Sequence, residues 1–206
     1  MFREALGVSA VVKKGKTDPM LHTFVVYVEN KPGVLNRVAS LFRRRAFNIE
    51  SLTVGHTDKA GISRMTIVVD TDEQGAKRAE ANLYKLVNVL LVNNVTGMPA
   101  VSRDLAMIKV GATPETRSHV LQLVQVFRAR VVDVAPESLI VEITGTEDKI
   151  DSLLEMLRPF GVLEMVRTGR VAMSRGAKSA AAAVGGMAEL AIPPEMRDED
   201  DVSYSV

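Results

Sequence analysis

The sequence predicts an α+β chain built from two tandem βαββαβ units. Three observations carry this. Short runs rich in β-branched residues alternate with segments whose apolar residues recur at helical spacing. The order strand, helix, strand, strand, helix, strand is read once and then again. Between the two copies, Thr96 to Ala100 holds Gly97 and Pro99, which interrupt either pattern. That order is the ferredoxin-like plan, an antiparallel sheet with both helices on one face.

In the first unit, His22 to Glu29 reads as a strand and Asn30-Lys31-Pro32-Gly33 as a turn. Val34, Leu35, Val38, Leu41 and Phe42 then fall at i, i+1, i+4, i+7 and i+8, one apolar helical face. Asn48 to His56 is a second strand, Thr57 to Gly61 a turn, and Ile62 to Asp70 a third strand. Glu73 to Leu86 is a helix with Ala76, Ala79, Leu83 and Leu86 inward, and Val87 to Val95 closes the unit.

The second unit follows the same course. Arg103 to Gly111 is a strand, and Glu115 to Ala129 a helix with Val120, Leu121, Val124 and Phe127 inward. Val131 to Val134 and Leu139 to Thr144 flank a turn at Pro136-Glu137-Ser138. Glu147 to Leu157 is a helix with Ile150, Leu153, Leu154 and Leu157 inward, and Gly161 to Met173 supplies one last strand. Each unit has about 75 residues, a size at which a single core is marginal. Pairing edge strands with a second copy buries more surface, so a homodimer is expected.

The domain organisation read from this is an arm over residues 1–20, a first domain over 21–97, a second over 101–176 and a tail over 177–206. The arm carries Arg3, Lys13, Lys14 and Lys16 against Glu4 and Asp18. The tail opens with the alanine run Ala180 to Ala183, of helical composition. It ends in Pro193-Pro194 and the acidic Asp198-Glu199-Asp200-Asp201, and it is expected to be mobile.

Composition excludes several functions. Lys and Arg total 26 and Asp and Glu 25, a net charge of +1, which gives no field for gathering nucleic acid or an anionic membrane. Apolar residues make up 47% and charged residues 25% of the 206, an ordinary globular balance. There is no cysteine, hence no disulfide, thiol nucleophile or thiolate metal site. No apolar run approaches the roughly 20 residues of a membrane-spanning helix, and no signal sequence is evident, so a cytoplasmic protein is expected.

A search for catalytic machinery returns little. His22, His56 and His119 lie far apart without ligand spacing. Lys14-Gly15-Lys16-Thr17 ends like a phosphate-binding loop, but Gly7 stands eight positions before Gly15, against a motif spacing of roughly five. Asn94-Val95-Thr96 spells a glycosylation acceptor with nothing else pointing to secretion. Arg43-Arg44-Arg45 reads as the solvated face of its helix. The βαββαβ order is shared with an RNA-binding module, which stacks bases on aromatics of its third strand. Here Ile62 to Val69 has no aromatic, and Phe24 and Tyr27 are three apart, on opposite faces. No enzymatic chemistry and no nucleic-acid binding are expected of the chain alone.

The turn Glu29-Asn30-Lys31-Pro32-Gly33-Val34-Leu35 is the remaining candidate. A glycine at a helix start lets a ligand approach. The first N–H groups, about Val34 and Leu35, are free donors suited to a carboxylate. Asn30 and Asn48 offer further donors and acceptors. On these residues alone, an anion site and a plain turn with Asn30 capping its own helix stand level.

The loop Asn30-x-Pro-Gly33-x-Leu35, a helix, and then Phe47-Asn48-Ile49-Glu50-Ser51-Leu52 together resemble the amino-acid-binding ACT domain. The run from Glu29 to Thr66 is more closely similar to the small regulatory subunits of acetolactate synthase (acetohydroxyacid synthase). Asn48 to Val54 and Ser63-Arg64-Met65-Thr66 carry this. Lys85 to Val89, Arg103 to Val110, Phe127-Arg128-Ala129 and Ser174-Arg175-Gly176 extend it across residues 20 to 176. Pro32 departs from some bacterial members without disturbing the loop.

The resemblance implies a chain with no catalytic activity of its own and no cofactor. Its partner would be the large subunit, which uses thiamine diphosphate, magnesium and FAD to condense pyruvate with pyruvate or 2-oxobutyrate. The small subunit would raise that activity and confer feedback inhibition, usually by valine. The family's effector loop transfers onto Asn30, Gly33, Val34 and Leu35, and its second contact onto Asn48 and Ile49. The site would lie between two ACT domains of a homodimer. A free-standing ACT-type sensor acting on another enzyme is the alternative.

Overall fold

The computed structural model describes residues 20–176. The arm before Met20, and the tail with its alanine run and acidic end, lie outside the described residues.

The first unit runs β1 (Met20–Glu29), α1 (Val34–Arg44), β2 (Ile49–His56), β3 (Ile62–Thr71), α2 (Glu73–Leu83) and β4 (Val89–Asn94). Its four strands form one antiparallel sheet in the order β2-β3-β1-β4. Period two aims Phe24, Val26 and Val28 of β1 at the helices, where they meet Val34, Val38, Leu41 and Phe42 of α1 and Ala76, Ala79 and Leu83 of α2. Asp72 starts α2 by accepting the Gly75 N–H at 2.6 Å.

The second unit repeats the plan: β5 (Ala100–Gly111), α3 (Arg117–Val126), β6 (Arg130–Val134), β7 (Ser138–Gly145), α4 (Glu147–Leu157) and β8 (Val162–Arg167), with β9 (Val171–Ser174) beyond. The sheet order β6-β7-β5-β8 matches the first unit strand for strand. Ala106, Ile108 and Val110 of β5 pack on Val120 and Val124 of α3 and on Ile150, Leu153 and Leu157 of α4. The kinship reaches the backbone. Each unit's first helix ends in a non-glycine residue of positive φ, Ala46 at 55° and Arg128 at 50°. The left-handed turn opens the way into the next strand at a cost of about 1–2 kcal/mol.

Several assignments differ from the sequence reading. Helix α3 covers Arg117–Val126 rather than Glu115–Ala129, and Leu35 of α1 and Leu121 of α3, read as inward, are exposed. Helix α2 stops at Leu83 rather than Leu86. The Tyr84 hydroxyl donates to the Val92 carbonyl and accepts from the Val92 N–H, both at 3.1 Å, pinning the chain to β4 in place of another helical turn. Strand β5 begins at Ala100, inside the expected linker. The expected single strand over 161–173 is two. β8 pairs with Ala106–Val110 of β5, whereas β9 pairs with Ala100–Arg103. At the break, the Thr168 N–H donates to the Leu105 carbonyl at 2.9 Å and the Leu105 N–H to the Thr168 hydroxyl at 3.0 Å.

The break has a structural consequence. It carries β9 across the helix-free face of the first sheet, where Ala172 is fully buried among Val25, Tyr27, Ile62 and Val95. Phe24 and Tyr27 are therefore both buried, one on each face. His22 is buried at the start of β1. Arg43, Arg44 and Arg45 are exposed, as a solvated helix face requires. Among the described residues, no helix is long and apolar enough to cross a membrane.

Candidate functional site

The loop between β1 and α1 is rigidly braced. The Asn30 N–H donates to the Gly61 carbonyl at 2.8 Å, and the Glu29 N–H to the Asn88 carbonyl at 2.9 Å. Asn88 joins the pieces further. Its Nδ2 donates to Glu29 Oε2 at 2.5 Å, and its Oδ1 accepts from Arg37 Nη1 at 2.7 Å. Lys31 Nζ reaches Glu29 Oε2 at 3.2 Å. The Asn88 hydrogen bond, and after it Lys31, holds the Glu29 carboxyl below its ordinary value of 4.5, against a smaller upward push from desolvation. The sequence reading places neither Asn88 nor Arg37 in the site, Asn88 entering that reading only within the Lys85–Val89 run that carries the resemblance. An asparagine between the apolar Val87 and Val89 was the available signal.

Gly33 occupies the helix-start position with φ 82° and ψ −6°, left-handed, and no side chain caps α1. The capping role considered for Asn30 is thus absent. Its side chain is exposed and makes no hydrogen bond among the described residues. A Cβ built on Gly33 meets no heavy atom within 4 Å, so the space above the helix start is open. The Val34 N–H turns back to the Lys31 carbonyl at 3.3 Å, and the Val34 side chain is buried in the core. Among the described residues, the free donors are the N–H groups of Leu35 and Asn36, one position later than the sequence suggested. Leu35 is 44% exposed beside them, an aliphatic surface next to two converging donors. The helix end adds partial positive charge, so the loop suits a carboxylate attached to an aliphatic group.

Asn48 and Ile49 stand elsewhere. Asn48 is exposed and its Nδ2 donates to Glu50 Oε1. Ile49 opens β2 opposite Val69, and Val69 lies opposite His22. Glu29, where the loop begins, is seven residues along β1 from His22, about 23 Å at strand rise. One chain therefore gathers Asn30, Gly33, Val34 and Leu35 at one end of the first sheet and holds Asn48 and Ile49 at the other.

Residues 24–91 match the family described as an AHAS small subunit-like ACT domain, and residues 103–176 match the small subunit of acetolactate synthase. A probable acetolactate synthase small subunit of Archaeoglobus fulgidus is 50% identical over 159 residues, covering 77% of this chain and 99% of its own. The acetolactate synthase small subunit of Mycobacterium bovis is 50% identical over 158 residues, covering 77% and 94%. The crystal structure of the Thermotoga maritima acetolactate synthase small subunit superposes with a TM-score of 0.73 at 40% identity. It covers 77% of this chain and 99% of that one.

Proposed function

Because the chain belongs to the acetolactate synthase small-subunit family, we propose that it binds and activates the catalytic large subunit and makes it sensitive to feedback inhibition by valine. Valine or another branched-chain amino acid binds between two ACT domains of a homodimer. One copy supplies Asn30, Gly33 and the Leu35 and Asn36 N–H groups, with Val34 anchoring the loop from below. The other copy supplies Asn48 and Ile49. Thiamine diphosphate, magnesium and FAD belong to the large subunit in this proposal. The chain itself carries no catalytic group and works in the cytoplasm.

The supporting observation is the separation of the two residue groups within one chain. Energetics favour the shared site. Micromolar binding needs about 8 kcal/mol. A helix N-terminus contributes about 0.3–2 kcal/mol and burial of a valine side chain about 1.5–3 kcal/mol. Charge-assisted hydrogen bonds of about 1.5–3 kcal/mol each make up the rest. The loop offers donors for a carboxylate, while an ammonium needs acceptors, which a second chain brings. Occupancy then biases how the paired sheets sit, and the large subunit responds to that bias.

Complementation tests this. Gly33→Asp damages one half of the site and Asn48→Ala the other, so each homodimer binds valine weakly. In a mixture, each heterodimer has one site with both lesions and one with neither. Calorimetry is expected to recover wild-type affinity in the mixture, at reduced stoichiometry. Failure of the mixture to bind, with exchange of subunits demonstrated, would place all contacts within one chain and overturn the shared site.

A further inference from the structure

We propose that the Thr168-Gly169-Arg170 segment, where β8 breaks before β9, is the element that couples effector occupancy to the second unit. This rests on the effector reading above and adds the route by which it acts. The segment lies directly on the first sheet. A Cβ at Gly169 would stand 2.6 Å from Ser51 Oγ, 2.6 Å from Thr53 Oγ1 and 3.0 Å from the Leu52 carbonyl oxygen. Glycine is needed here for closeness, since any side chain would lift the segment off β2.

Arg170 then ties three elements together. Its backbone N–H donates to Ser51 Oγ of β2 at 2.8 Å, Nη1 to Thr23 Oγ1 of β1 at 3.2 Å, and Nη2 to Glu147 Oε2 at the start of α4 at 3.0 Å. Next to it, Arg167 bridges Asp104 of β5 and Asp151 of α4, each at 3.0 Å. The segment is thus fastened both to the first sheet and to the helix layer of the second unit.

The contact falls two residues from Ile49. Between them the β2–β3 register shifts, Ile49 pairing with Val69 and Ser51 with Val68. Such a bulge bends a strand and re-aims its side chains. Ile49 packs toward the helices, whereas Ser51 faces the 168–170 segment. A ligand pressing on Asn48 and Ile49 therefore changes the strand at its one irregular point, immediately before the residue that holds Arg170. The seam is also not filled. A cavity of about 370 Å³ lies beside it, lined by residues that include Glu50, Leu52, Asp104 and Glu147. The segment therefore borders open space on one side, into which a transmitting element can shift.

The test uses the full chain with its large subunit and reads three quantities: stimulation of turnover, valine inhibition, and direct valine binding to the small subunit. Gly169→Ala displaces the segment, and Ser51→Ala removes the acceptor for the Arg170 N–H without adding bulk. For both variants stimulation is expected to stay and valine still to bind, while the valine concentration for half inhibition rises at least about fivefold. A merely structural role would lower the melting temperature and leave the inhibition curve in place. Wild-type inhibition in a folded Ser51→Ala variant overturns the proposal, whether or not Gly169→Ala folds. Absence of any valine effect on the wild-type pair would instead overturn the effector reading itself.

Discussion

Replacing Gly33 by aspartate separates effector binding from folding more sharply than any other single change. A Cβ at Gly33 has no heavy atom within 4 Å, so the substitution brings no steric clash there. Its backbone, at φ 82°, charges a non-glycine residue about 1–2 kcal/mol. A carboxylate at a helix start returns about 0.3–1 kcal/mol. The net loss is about 1 kcal/mol, which lowers the melting temperature by about 2–4 °C. The effector fares far worse. The aspartate takes the Leu35 and Asn36 N–H groups for itself and repels a second carboxylate. At least one charge-assisted hydrogen bond and the helix-end attraction go together, about 3 kcal/mol or more than a hundredfold in affinity. The assay is acetolactate formation by the large subunit with this variant, across a valine titration, alongside thermal unfolding. Stimulation is expected to persist while valine inhibition disappears. A folded Gly33→Asp variant still inhibited at the wild-type valine concentration would refute the assignment of this loop.

Four further outcomes follow from the same structure. Asn48→Ala removes an exposed side chain whose hydrogen bond is to Glu50, so the stability measured in urea should stay within about 0.5 kcal/mol of wild type while valine affinity falls about tenfold or more. Leu153→Ala, in the fully buried core of the second unit, should cost about 2–5 kcal/mol by denaturant titration. Ala46→Gly relieves a left-handed alanine and should raise stability by about 0.5–1 kcal/mol after the entropic cost of glycine. Glu29 has a folded pKa below its ordinary 4.5, so its protonation favours the unfolded chain. The stability it contributes is complete above the ordinary value and is lost as pH falls through the lowered folded value. Glu29→Gln should flatten that part of an acid-unfolding curve, and an unchanged curve would contradict the Asn88–Glu29–Lys31 arrangement.

Period and spacing were enough to place both sheets and the four α-helices of the described residues, because each is half-buried against its own unit. Val34, Val38, Leu41 and Phe42 are inward for reasons internal to their helix. What escaped depends on contacts between distant segments. Nothing in Gly161 to Met173 announces a break at Thr168, since Gly169 matters only for the hydroxyls of Ser51 and Thr53. The buried run Phe24–Val28 shows no alternation of exposure because β9 covers the second face. The site was legible at Gly33, whose left-handed backbone suits glycine. The exact donors were not, because the turn closed by Val34 and Lys31 shifts the free N–H groups by one residue. The brace of Asn88 and Arg37 lies some 50 residues apart in sequence (51 between partners) and leaves no local pattern.

The most direct test of the account is turnover of pyruvate to acetolactate by the large subunit of the same organism, with and without this chain, each across a valine titration. Stimulation by the chain is expected, with valine inhibition only in the mixture. With both proteins folded, an unchanged rate and an unchanged valine response on adding the chain would contradict it.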